Sequence, residues 1–245
     1  MNTRSWLTIS LLAIAGIGAI GSLYQPAIET SPPPEAVTTT TPSVPASTTT
    51  TTTTILTGSP STGCLTGEDH TPTGKLVLVP GSSQATDVEP LTRYLIEVEE
   101  GLGIDPTCFA DEVVRVLSDS RSWAGDGSLS LQRVDSGLVD IRVTIASPAT
   151  TDSYCLPMET NGIYSCWNGE RAMINVWRWE HATDEFDGDL LEYRTYVINH
   201  EVGHGLGRNH RLCPGEGSPA PVMQQQTIAL NGCAPNGWPL EVERS

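Results

Sequence analysis

None of the six cysteines precedes Cys64, and the chain ahead of it cannot fold around a core. Residues 25–63 are dominated by Thr, Pro and Ser, with an unbroken run from Thr48 to Thr54 and almost no large apolar side chains. Without apolar surface to bury, nothing offsets the entropy of ordering such a segment. It reads as a disordered stalk whose composition suits O-glycosylation. The folded unit is therefore 64–245, long enough for one sizeable core.

Residues 1–24 carry a single basic residue, Arg4, followed by an apolar run from Trp6 to Tyr24. At about 1.5 Å per residue this run nearly crosses a hydrocarbon core. It is either a cleaved signal peptide or an uncleaved N-terminal anchor. Both readings export the rest of the chain, which is then secreted or tethered to the cell membrane. Export makes three disulfides the default for Cys64, Cys108, Cys155, Cys166, Cys213 and Cys233. The short intervening loops favour Cys155–Cys166 and Cys213–Cys233, leaving Cys64–Cys108.

Acidic residues outnumber basic ones 29 to 13, for a net charge of −16. Only Arg4, Glu29 and Glu35 lie before Cys64, so the acidity belongs to the exported domain. Such a surface repels phosphate backbones, and no nucleic-acid partner is expected. With 38% hydrophobic and 17% charged residues, the composition excludes a coiled coil, a polytopic membrane protein and a collagen-like repeat. Membrane contact is expected only through the N-terminal segment, and the domain reads as a monomer.

The patterning is mixed α and β. Strands are expected at Lys75–Val79, Arg93–Val98, Ser128–Arg133, Asp140–Ala146 and Ala172–Trp179. Asp105-Pro106 opens a helix whose apolar positions Phe109, Val113, Val116 and Leu117 keep a helical spacing. A second helix is expected over Leu190–Leu206, introduced by Asp189 with Glu192 three residues on, an acidic version of the capping box. An irregular stretch rich in Gly, Pro and Cys follows.

That second helix contains His200-Glu201-Val202-Gly203-His204, then Gly207 and His210. Residues four apart share a helix face, so His200 and His204 can present two imidazoles to one cation. Gly207 permits the sharp turn that returns His210 as a third nitrogen. Glu201 sits where its carboxylate reaches a water on the metal without ligating it. Three histidines leave the fourth tetrahedral position to water, the arrangement of a catalytic rather than a structural zinc site. His-Glu-x-x-His alone arises by chance in on the order of one chain per hundred. The added Gly and His cut that by roughly several hundredfold, so ordinary surface or core histidines are a poor explanation.

Over His200, Glu201, His204, Gly207 and His210 the sequence resembles the metzincin metalloproteases, whose zinc helix is followed by a methionine turn. Met223, in Pro221-Val222-Met223-Gln224, is the candidate for that turn. The chain looks most like an uncharacterised family of exported actinobacterial metzincin-like domains, over most of residues 75–240. The resemblance implies a twisted mixed sheet with two long helices, a small irregular C-terminal subdomain, and one catalytic Zn2+. It implies an endopeptidase acting on a protein or peptide substrate. Glu201 would take a proton from zinc-activated water as general base and later pass one to the leaving amine. Arg211 after the third histidine and Gln225 two after Met223 depart from familiar subfamilies, so no substrate preference carries over. No inhibitory switch motif is found in 25–63.

Other features carry less. Trp177 and Trp179, two apart on the expected strand, share a face and read as core. Asp184, Asp187 and Asp189 lack calcium-loop spacing and read as helix capping. His70 and His181 read as solvent-facing. Two alternatives remain open at this stage: a zinc amide hydrolase acting on cell-wall peptide, and a non-catalytic zinc-containing binding domain.

Overall fold

The computed structural model describes residues 59–245. The signal or anchor segment and nearly all of the stalk lie outside the described residues. Folding starts just ahead of Cys64: Pro60–Thr62 form a 3-10 turn, and the following Gly63 carbonyl accepts the indole N–H of buried Trp179 at 2.8 Å.

The fold is mixed α and β around one mixed sheet. Its strands are β1 (Leu76–Leu78), β2 (Leu91–Glu99), β3 (Ser130–Arg133), β4 (Ile141–Ala146), β5 (Cys166–Trp167) and β6 (Arg171–Asn175). The order is β1-β2-β4-β6-β5, with β3 paired in parallel to the first half of β2. The central pairs β2–β4 and β4–β6 are parallel, and the edge strands β1 and β5 run antiparallel to their neighbours. The helices are α1 (Pro106–Leu117), α2 (Pro148–Cys155), α3 (Val176–His181), α4 (Leu190–Gly205) and α5 (Glu241–Arg244).

Alternation along the strands decides which face carries the core. Tyr94, Ile96 and Val98 of β2, Ile141, Val143 and Ile145 of β4, and Ala172 and Ile174 of β6 join one apolar cluster with Phe109, Val113 and Val116 of α1 and Tyr193, Val197 and Ile198 of α4. The intervening positions Glu97, Arg142 and Arg171 form an ion-pair ladder across the other face, with N···O distances of 3.7 and 3.1 Å. The two long helices therefore lie on one face of the sheet.

Both expected caps form. Asp105 Oδ1 accepts the amides of Thr107 and Cys108, and Asp189 Oδ1 accepts that of Glu192 at 2.9 Å. The reciprocal half of the Asp189–Glu192 capping box is not made; Glu192 Oε1 instead accepts the amide of Gly237 at 2.6 Å. The expected strand over Ala172–Trp179 is corrected. The strand ends at Asn175, whose side-chain oxygen accepts the amide of Trp177 at 3.0 Å and starts α3. On that helix Trp179 is fully buried, while Trp177 is half-exposed and stacks on His181. The two tryptophans do not share a face.

The three disulfides are Cys64–Cys108, Cys155–Cys166 and Cys213–Cys233, as the loop lengths suggest. Among the described residues no cysteine is free. Three bridges indicate an oxidising, extracytoplasmic setting. Among the described residues no helix is long and apolar enough to cross a membrane.

Candidate metal centre

The last turns of α4 carry His200 and His204, and the helix ends where His210 has to return to them. Gly207, at φ 79°, makes that return: its amide bonds to His204 O at 2.9 Å, and the Arg208 amide bonds to Gly203 O at 2.9 Å. These two bonds form a Schellman closure, which needs a left-handed residue that glycine adopts without strain. The three imidazoles converge, with one nitrogen from each lying within 4.8 Å of the others. His204 Nε2 and His210 Nε2 are 3.1 Å apart.

The surroundings set the tautomers. His200 Nδ1 lies 2.8 Å from the Val222 carbonyl oxygen, and His204 Nδ1 lies 2.9 Å from that of Arg208. A carbonyl oxygen only accepts, so each Nδ1 carries the proton and each Nε2 is left with a bare lone pair. Burial pushes the His200 pKa down to about 3, and it lowers those of His204 and His210 as well. Neutral rings with converging nitrogens, two of them with a backbone acceptor behind, are a donor set that suits a borderline cation.

Glu201 is buried beside His200, and its burial raises the carboxyl pKa to about 8. Both residues open onto a cleft of about 260 Å³ lined further by Tyr196, Tyr164, Glu159 and Thr227. An adjoining cleft of about 270 Å³ brings together Glu201, all three histidines, Gln225 and Trp167 of the edge strand β5. The Cys155–Cys166 bridge holds one wall, because Met158, Ser165 and Cys166 line both clefts.

Met223 is fully buried in a turn closed by the Gln224 amide on the Pro221 carbonyl at 2.9 Å. It packs under the histidine-bearing turn, where a side chain at Gly203 would collide with Met223 Sδ and the Trp123 ring. All of His200, Glu201, His204, His210 and Met223 are thus brought together. Cys213 and Cys233 are bonded to each other and stay out of the cluster. His70 pairs with Glu180 at 3.0 Å, His181 bonds to the Trp177 carbonyl, and both histidines are exposed.

Three supporting residues escaped the sequence reading. Tyr196, one turn before His200, donates its hydroxyl hydrogen to Gln224 O at 3.1 Å and accepts from the Gln226 amide at 3.0 Å. Buried Asn199 donates to the Gly237 carbonyl at 2.9 Å and accepts from Ser122 Oγ at 2.8 Å. Glu243 accepts the amides of Val222 and Met223. Helical spacing from His200 points to Tyr196; no sequence pattern points to the other two.

The chain belongs to the family described as "Protein of unknown function (DUF3152)", which matches residues 65–237. No curated protein and no solved structure matches the chain.

Proposed function

We propose that this member of the family is a zinc-dependent endopeptidase with a metzincin-like fold, exported and either secreted or tethered through residues 1–24. The observation that carries the reading is the convergence of three imidazoles, two with Nδ1–H engaged on backbone carbonyls, beside a carboxylate in the same cleft.

His200, His204 and His210 would hold the ion through ring nitrogens. Bound there, Zn2+ supplies Lewis acidity, bringing the pKa of water towards about 7 and polarising a scissile carbonyl. Glu201 accepts the proton of the attacking water on its carboxylate and delivers a proton to the leaving amine nitrogen. Burial raises the Glu201 pKa, and a cation held beside it would favour the ionised carboxylate that acts as the base. Strand β5 ends the sheet next to the clefted face, so an extended peptide can align there and gain main-chain hydrogen bonds. Met223 and the turn around it support the histidines from below, the part a methionine turn plays.

The test is hydrolysis. The zinc-loaded full chain, incubated with a diverse peptide mixture and read by mass spectrometry, should generate new termini, and Glu201→Ala should bind zinc but generate none. Equal cleavage by Glu201→Ala would remove the proposed base; no cleavage by either would favour a wall-polymer substrate or a binding role.

A further inference from the structure

Glu243 lies on α5, beyond the residues matched by the family, with 1% of its surface exposed. Its carboxylate accepts three backbone N–H groups: Val222 to Oε2 at 2.8 Å, Met223 to Oε1 at 2.9 Å and Leu240 to Oε2 at 2.9 Å. Both oxygens are therefore occupied by donors, which an amide side chain cannot reproduce, since its NH2 would face an N–H. The Val222 held in this way is the residue whose carbonyl orients His200.

A second tie runs in parallel. The Arg208 guanidinium donates to the carbonyls of Arg244 at 3.0 Å and Ser245 at 3.2 Å. The carbonyl of the same Arg208 takes the Nδ1 proton of His204. Each carbonyl that orients a helical histidine thus belongs to a residue bound to the segment 243–245.

We propose that Glu243 is a positioning residue for the histidine cluster: it fixes the Val222–Met223 backbone so that the Val222 carbonyl keeps His200 Nε2 free for a cation. This rests on the reading of the three histidines as metal ligands. Glu243 touches neither the ion nor a substrate; it acts through the backbone of the turn, and outer partners of this kind typically change metal affinity ten- to hundredfold.

Zinc alone is the probe. Chelator competition on the full chain gives the zinc affinity of wild type, Glu243→Gln and Glu241→Gln, an exposed neighbour on the same helix. Glu243→Gln should bind zinc roughly ten- to hundredfold more weakly, and Glu241→Gln as wild type. Hydrogen exchange on wild type supplies a reading that does not depend on how any variant folds. By reciprocity, zinc loading should slow exchange at Val222, Met223 and residues 241–244 as well as in the histidine turn. Wild-type affinity in Glu243→Gln, or exchange at 222–223 and 241–244 that zinc leaves unchanged, overturns the positioning role while the metal site stands. Failure of wild type to bind zinc overturns the metal site and the role together.

Discussion

His204 Nε2 faces His210 Nε2 across 3.1 Å, with the Nδ1 proton of His204 already committed to a backbone carbonyl. As neutral rings the two can share one hydrogen bond, His210 Nε2–H to the bare His204 Nε2, or turn both lone pairs to a cation that displaces that proton. Burial disfavours a further proton on either ring, so the pair is neutral and open to a cation. The cation should therefore stabilise the fold by mass action. At a hundredfold excess of zinc over its Kd the gain is about 2.7 kcal/mol, which for a domain of this size raises Tm by about 5–10 °C. Thermal melts of the full chain with zinc and with chelator measure this. Identical melts in both would contradict it.

Gly207→Ala isolates the turn that returns His210. The position has open space around it, so the only cost is that of a side chain at φ 79°. That cost is about 1 kcal/mol in denaturant unfolding of the metal-free chain. Zinc affinity should fall further than stability does, because His210 follows the turn. A loss of stability with unaltered zinc binding would count against a part for His210 in holding the ion.

The turn that holds Met223 predicts a volume effect. Met223 is fully buried under Gly203 and Trp123. Met223→Ala should cost about 2–5 kcal/mol through the cavity left behind, and Met223→Leu less than about 1.5 kcal/mol. If Met223→Leu costs as much as Met223→Ala, the sulfur does something that packing does not explain.

Alkaline pH should unfold the domain through its buried phenols. Burial pushes the pKa values of Tyr94 and Tyr193 up to about 12, and that of Tyr196 higher still. A group with a raised folded-state pKa stabilises fully below its unfolded value, near 10, and that contribution is lost as pH rises through the folded value. Stability should therefore fall between about pH 10 and 12. Tyr193→Phe starts lower, lacking the hydroxyl contact with Thr227 at 3.1 Å, but should lose less across that window. Unfolding profiles of the two chains against pH decide it; parallel profiles would count against Tyr193.

The sequence was legible where the signal is local. Asp105 and Asp189 are caps because a short acidic side chain reaches the amides two or three residues on. Ile141–Ala146 alternates because one face of its strand meets the long helices, while the other carries Arg142 of the ion-pair ladder and the small buried Thr144 and Ala146. The His200–His210 spacing is read directly from helical geometry and one glycine. Legibility failed where one side chain overrides a run: Asn175 turns an apolar stretch from strand to helix with a single cap. Helix α2 has no apolar stripe to announce it, although Ser147-Pro148 supplies its start and Ser147 Oγ accepts the Thr150 amide. Glu243 lies beyond reach of any pattern, since its partners at Val222 and Met223 are backbone amides, which every residue but proline carries.

Zinc-edge X-ray absorption on the full chain loaded with one equivalent asks whether His200, His204 and His210 together hold one zinc ion. The expected spectrum has three imidazole nitrogens at about 2.0–2.1 Å completed by a light oxygen donor, a signature lost in His204→Ala. A sulfur shell at about 2.3 Å, or an imidazole-free shell of oxygens, would contradict it.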